Sequence, residues 1–91
     1  MTSHVTPDFR RGFAGLPSAI QRQARAAYRL FQSDPFHPSL RFKKLPPYAD
    51  VWSVRITGNY RAIARRAGDE IVWFFIGSHA DYDRLLDTLD A

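Results

Sequence analysis

Residues 51–76 read VWSVRITGNYRAIARRAGDEIVWFFI, and the alternation within them decides the fold. Three apolar-rich runs, 51–57, 60–66 and 70–77, are separated by Gly58-Asn59 and Gly68-Asp69, residues that tolerate positive φ. The segment therefore predicts an antiparallel meander with two hairpin turns. It also carries Arg55, Arg61, Arg65 and Arg66, and the register of the first hairpin decides where they point. A two-residue loop would pair Thr57 with Tyr60 and place Arg61 on the face of Trp52, Val54 and Ile56. A loop one residue longer pairs Ile56 with Tyr60 and Arg55 with Arg61. It sorts Trp52, Val54, Ile56, Tyr60, Ala62 and Ala64 onto one face and Ser53, Arg55, Arg61 and Arg65 onto the other. Burying an unpaired guanidinium is costly and register follows the apolar pattern, so the odd-length loop is preferred. The last strand, IVWFFI, is apolar on both sides and is expected to be the most covered, with Trp73, Phe74 and Phe75 in the core rather than stacking on bases.

Working outward, residues 3–5 suit a short edge strand. Thr6-Pro7-Asp8 reads as a helix start: threonine caps, proline fits the first helical position, and an early acid suits the dipole. Phe9 and Phe13 share a face, and Gly15 ends this helix. A second helix over 17–33 carries Ile20, Ala24, Ala27 and Phe31 along one stripe, with Arg22, Arg25 and Arg29 mostly off it. The two helices form a hairpin whose narrow stripes require the sheet as a partner, and Ala62 and Ala64 leave room for them. Pro35 and Pro38 stop the second helix. Residues 41–45, RFKKL, predict an edge strand or arm closed by Pro46-Pro47. The tail after Gly77 suits a short helix carrying Leu85, Leu86 and Leu89. The expected fold is α+β: an N-terminal helical hairpin packed on one face of a small antiparallel sheet, a single domain over 1–91.

Ninety-one residues suffice for one core, since a domain of this size buries only about 60–65% of its unfolded surface. Without cysteine there is no disulfide framework, thiolate zinc site or cysteine nucleophile. No run approaches the ~20 apolar residues that span a bilayer, and the first residues lack a signal-peptide core, so a cytoplasmic protein is expected. Charge is uneven: residues 1–66 balance to +9 and 67–91 to −5, giving the net +4. Eleven of the 13 cations are arginine, whose planar fork matches phosphate and stacks on bases. That balance leans towards a polyanionic partner, although a merely soluble basic surface would look the same.

The cationic face is expected to be the open one, with Lys43 and Lys44 arriving from the neighbouring arm and His79 and Tyr82 where the chain leaves the sheet. Cations neutralise a pentavalent phosphorane, and a group that titrates near neutral pH serves the 2′-hydroxyl or the leaving 5′-oxygen, so such a cluster can cleave a phosphodiester with no metal or other cofactor. Plainer readings exist for each part. Lysines guard sheet edges against aggregation, a histidine at a strand end often makes structural hydrogen bonds, and Tyr82 could be a packing aromatic with a wet hydroxyl.

The element order, together with DPFHPSLRFKKL, WSVRITGNYRAIAR and GDEIVWFFIGSHADYDRLL, resembles the RelE/ParE superfamily of bacterial type II toxins over about residues 5–89. The resemblance implies a small toxin that enters the ribosomal A site and cleaves mRNA, held inactive by a cognate antitoxin. It implies an RNA-gripping role for Lys43 and Lys44, scissile-phosphate stabilisation by Arg61, and acid or charge-stabilising work for His79. Arg55 recurs among relatives of both activities, and with Arg65 it is expected to contact RNA. Tyr82 is a candidate third catalytic group. The partners so implied are the antitoxin, ribosome and mRNA, with no membrane, and DNA only through an antitoxin complex. Other superfamily members inhibit DNA gyrase, so a gyrase inhibitor and a catalytically silent binding protein of the same fold stand as alternatives.

Overall fold

The computed structural model describes residues 1–90, and of Leu89 and Asp90 the backbone alone, so the expected packing role of Leu89 lies outside the described side chains. Strand β1 (Thr2–Val5) leads into helices α1 (Pro7–Ala14) and α2 (Ser18–Ser33); β2 (Lys43–Lys44), β3 (Val51–Thr57), β4 (Tyr60–Ala67) and β5 (Glu70–Ser78) follow, and α3 (His79–Asp90) ends the chain. The sheet order is β1-β5-β4-β3-β2. Every pairing is antiparallel except at the β1 edge, where Thr2–Val5 runs parallel to β5. The α+β fold is the expected one, with that single parallel addition. No described helix is long and apolar enough to cross a membrane.

The helices start and stop for local reasons. Thr6 Oγ1 accepts from the Phe9 N–H at 3.1 Å, Pro7 occupies the first turn, and Asp8 pairs with Arg11. Gly15 closes α1 by donating to the Arg11 carbonyl at 3.2 Å. Gln21, in the first turn of α2, donates to the Phe13 and Ala14 carbonyls at 2.9 and 3.3 Å, which satisfies orphan acceptors at the end of α1 and sets the hairpin. α1 lies over β5 and α2 over β3. Close approach requires Gly12: a Cβ there would sit 3.0 Å from the Ile76 carbonyl oxygen. Phe31, 2% exposed, meets Phe42 and Trp73 edge-on at 5.0 and 5.3 Å and joins α2 to β5 and to the segment leading into β2.

The first hairpin corrects the expected loop while preserving its consequence. Thr57 pairs with Tyr60 across a two-residue turn, and the odd residue is Ile56, bulged out of register. Thr57 Oγ1 accepts from the Asn59 N–H at 3.1 Å, so the turn is held by a side chain; Gly68, not Gly58 or Asn59, is the position that takes positive φ, at 59°. Beyond the bulge Arg55 faces Arg61 and Val54 faces Ala62, as the apolar pattern requires. A second bulge, between Ile63 and Ala64 on β4, leaves Phe74 as an extra residue in β5, and Phe74 and Phe75 both join the side opposite the helical hairpin.

The cationic face is not open along its length. Val51 and Ile63 are fully buried and Ser53 is 3% exposed, because α3 folds back across this face and packs Tyr82, Leu85 and Leu86 against Leu45, Val51, Ile63, Phe74 and Phe75. Helices therefore flank both sides of the sheet, and the arginine face is reduced to a cleft beside the start of α3.

Candidate functional site

The cleft is lined by Arg41, Lys43, Ser53, Arg55, Arg61, His79 and Tyr82 and encloses about 150 Å³. Each wall has a separate origin. Lys43 comes from the edge strand opposite Ser53, and Arg55 and Arg61 stand directly opposite each other on β3 and β4. Like charges in that position repel. The pair makes physical sense around an anion. Arg61 Nη1 donates to the Thr57 carbonyl at 3.0 Å, which fixes the guanidinium against the turn.

His79 opens α3, and its backbone N–H donates to the Asn59 carbonyl at 2.8 Å, tying the helix start to the same turn. Ser78 caps the helix by accepting from the Asp81 N–H at 3.3 Å. The hydrogen bond from Arg84, with help from Ser78, holds the Asp81 carboxyl below its usual range. One turn on, the Tyr82 ring lies nearly parallel to the His79 ring, centroids 5.9 Å apart. Burial raises the Tyr82 phenol above its usual value; the positive charge of Arg61 opposes the shift and Asp83 adds to it. Tyr82 is thus protonated at neutral pH, with the His79 imidazole beside it. The helix N-terminus adds its own partial positive charge to the cleft.

Of the residues expected from sequence, Lys43, Arg55, Arg61, His79 and Tyr82 share this cleft. Lys44 and Arg65 do not. Strand alternation sends Lys44 to the opposite face, where its ammonium sits 5.9 Å from the Trp52 ring centroid. Arg65 is paired with Asp50 at 3.0 Å and lies over Phe74. Arg41 and Ser53 were missed as site residues. The signal for Arg41 was its i, i+2 spacing from Lys43 in RFKK, and for Ser53 the alternation that puts it on the face of Arg55. A second, larger concavity of about 650 Å³ lies on the other face between the helical hairpin and the sheet, lined by apolar side chains such as Phe9, Phe13, Val54, Ile56 and Ala62 and rimmed by Arg10, Arg25 and Arg29. Among the described residues no group of three or more His, Cys, Asp or Glu could hold a metal ion.

A family model described as a ParE-like toxin domain matches residues 18–84. The chain belongs to the ParE-like toxin family. That match spans α2, the whole meander and the start of α3, and agrees with the RelE/ParE resemblance of the sequence motifs. No curated protein matches this ParE-like chain significantly by sequence. Solved structures share its fold. The RelB-RelE antitoxin-toxin complex from Methanococcus jannaschii aligns at TM-score 0.73 and 20% identity over 89% of this chain and 96% of that one. A YoeB/ParE toxin from Agrobacterium tumefaciens gives 0.68 and 19% over 87% and 99%. YafQ from E. coli strain BL21(DE3) gives 0.71 and 8% over 88% and 94%.

Proposed function

We propose that this ParE-like domain is the toxin of a type II toxin-antitoxin system and acts in the cytoplasm as a ribosome-dependent endoribonuclease on mRNA. The single observation that carries the reading is the convergence of Arg55, Arg61, Lys43, His79 and Tyr82 on one cleft, with two arginines directly opposed. The 2′-hydroxyl attacks the adjacent phosphorus as His79 takes its proton, a base's role in place of the acid or charge-stabilising one that the resemblance implies, because the protonated Tyr82 phenol suits the leaving oxygen. The phosphorus–O5′ bond breaks, and Tyr82 gives a proton to the departing 5′-oxygen. The products are a 2′,3′-cyclic phosphate and a 5′-hydroxyl, and solvent returns the protons. Arg55 and Arg61 carry the charge that develops on the non-bridging oxygens, so no metal is required by the chemistry.

Loss of the general base or of the phosphate clamp costs about 10²–10⁴-fold in rate. Induced His79→Ala and Arg61→Ala variants are therefore expected to stop arresting growth, and primer extension on translated mRNA should lose the new 5′ ends that the parent creates. Variants as toxic as the parent, with no new ends in either case, would discard the ribonuclease. Inhibition of gyrase supercoiling by excess protein would put a gyrase inhibitor in its place, and absence of arrest on induction of the parent would leave a silent binding protein. One chain of the RelB-RelE antitoxin-toxin complex shares this fold, and we place the cognate antitoxin here in the apolar concavity as an acidic, amphipathic segment facing Arg10, Arg25 and Arg29.

A further inference from the structure

We infer that Arg41 and Lys43 form a second phosphate subsite, which holds the message at the phosphodiester next to the one being cleaved; the inference rests on the ribonuclease reading above. Charge counting comes first. An internal phosphodiester carries one negative charge, and its transition state two; Arg55 and Arg61, opposed on the meander, match that demand. Arg41 and Lys43 enter the same cleft from a different segment, the loop after α2 and its edge strand, and bring two further cations. A cleft with four cations around one scissile phosphate is over-supplied. The next phosphate along a single strand takes up the excess.

The backbone of Arg41 supports this independently. It lies in the left-handed region, φ 47° and ψ 44°, where asparagine and glycine sit at ease and a long side chain is disfavoured. Leu40 and Phe42 on either side are 2% and 8% exposed, so their burial fixes the kink and turns Arg41 outward to the cleft. Arginine at a position suited to asparagine points to a use for the guanidinium. Arg11, Arg65 and Arg84 are neutralised by Asp8, Asp50 and Asp81, whereas among the described residues Arg41 and Lys43 form no ion pair.

Single-turnover cleavage on programmed ribosomes tests the subsite. Messages would carry a neutral methylphosphonate at the phosphate on one or the other side of the scissile bond. For the parent, one of these two positions should lower the rate about 10- to 100-fold, the value of a lost charge-assisted contact. Arg41→Asn should lose part of this rate on the native message, Lys43 keeping its contact, and the further loss on that methylphosphonate should be smaller than the parent's. Arg41→Lys should recover part of the rate, and Arg41→Asn should melt at or above the parental temperature because the kink is relaxed. Losses that multiply when the variant meets the methylphosphonate, or an Arg41→Asn variant as fast as the parent, overturn the subsite and leave the ribonuclease standing. A parent that leaves the native message uncut sinks both.

Discussion

Tyr82 shows burial and charge competing over one hydroxyl. Burial wins over the attraction of Arg61, and the phenol stays protonated beyond its usual range. The sign of the linkage follows. Below about pH 10, the ordinary phenol value, Tyr82 is protonated in both folded and unfolded chains and its contribution is fully present. As pH rises through the higher folded value, the unfolded chain releases the proton more readily and that contribution is lost. Urea denaturation of the parent is expected to lose stability above pH 10 more steeply than Tyr82→Phe, with the two curves parallel between pH 6 and 9. Parallel curves at high pH as well would show a solvated phenol. Arg65 teaches the opposite lesson on the same face: its charge is engaged by Asp50, and a sequence pattern that counts cations cannot see which have partners.

Among the elements, α3 decides most about the site. It supplies His79 and Tyr82 and is anchored through Leu85 and Leu86 on Val51 and Ile63. Leu85 is half-buried, so Leu85→Ala should cost about 1–2 kcal/mol, below the ~2–5 of a fully buried leucine. Cleavage should fall about tenfold or more at temperatures where the fold persists, since small displacements of catalytic groups are expensive. Leu85→Met should restore most of it. A variant with normal cleavage and the expected stability loss would show that His79 is positioned by the turn alone.

The helix starts, the meander and the face of each arginine could be read from residues because caps, turn residues and alternation are local. The α3 cover could not, although its trace was present: Val51 and Ile63 alternate in step with Ser53, Arg55, Arg61 and Arg65, and two large aliphatic residues on a supposedly open face call for a lid. The bulge at Ile56 gives the same facing as a longer loop, so pattern alone could not distinguish them. Arg41 opens the edge strand or arm expected over 41–45, but the strand is confined to Lys43–Lys44, and the left-handed backbone of Arg41 depends on the tertiary burial of Leu40 and Phe42.

At the scale of the whole molecule, the sheet separates two surfaces of different chemistry. The apolar concavity with its arginine rim and the polar cleft lie on opposite faces, so partner binding and RNA chemistry should respond to different substitutions. Arg25, whose guanidinium lies 4.9 Å from the Phe13 ring centroid, sits on that rim. Arg22, grouped with it on sequence grounds, does not line the concavity. Arg25→Glu is expected to weaken capture of a co-expressed antitoxin about tenfold by like-charge repulsion with its acidic segment, with cleavage rates unchanged. Arg22→Glu should do much less. Equal effects of the two reversals in a titration of the pair would place the antitoxin elsewhere.

The parallel edge carries a consequence for how the chain is made. Thr2 pairs with Glu70, so about 68 residues separate the two partners, and at roughly 5–20 residues per second the first strand waits about 3–14 s on the ribosome before its neighbour exists. During that wait Thr2, Ser3 and His4 expose little apolar surface to recruit a wrong strand. His79 and Tyr82 are synthesised later still, so in the ribonuclease proposed above the arginines of the cleft leave the ribosome before the two groups assigned the proton transfers.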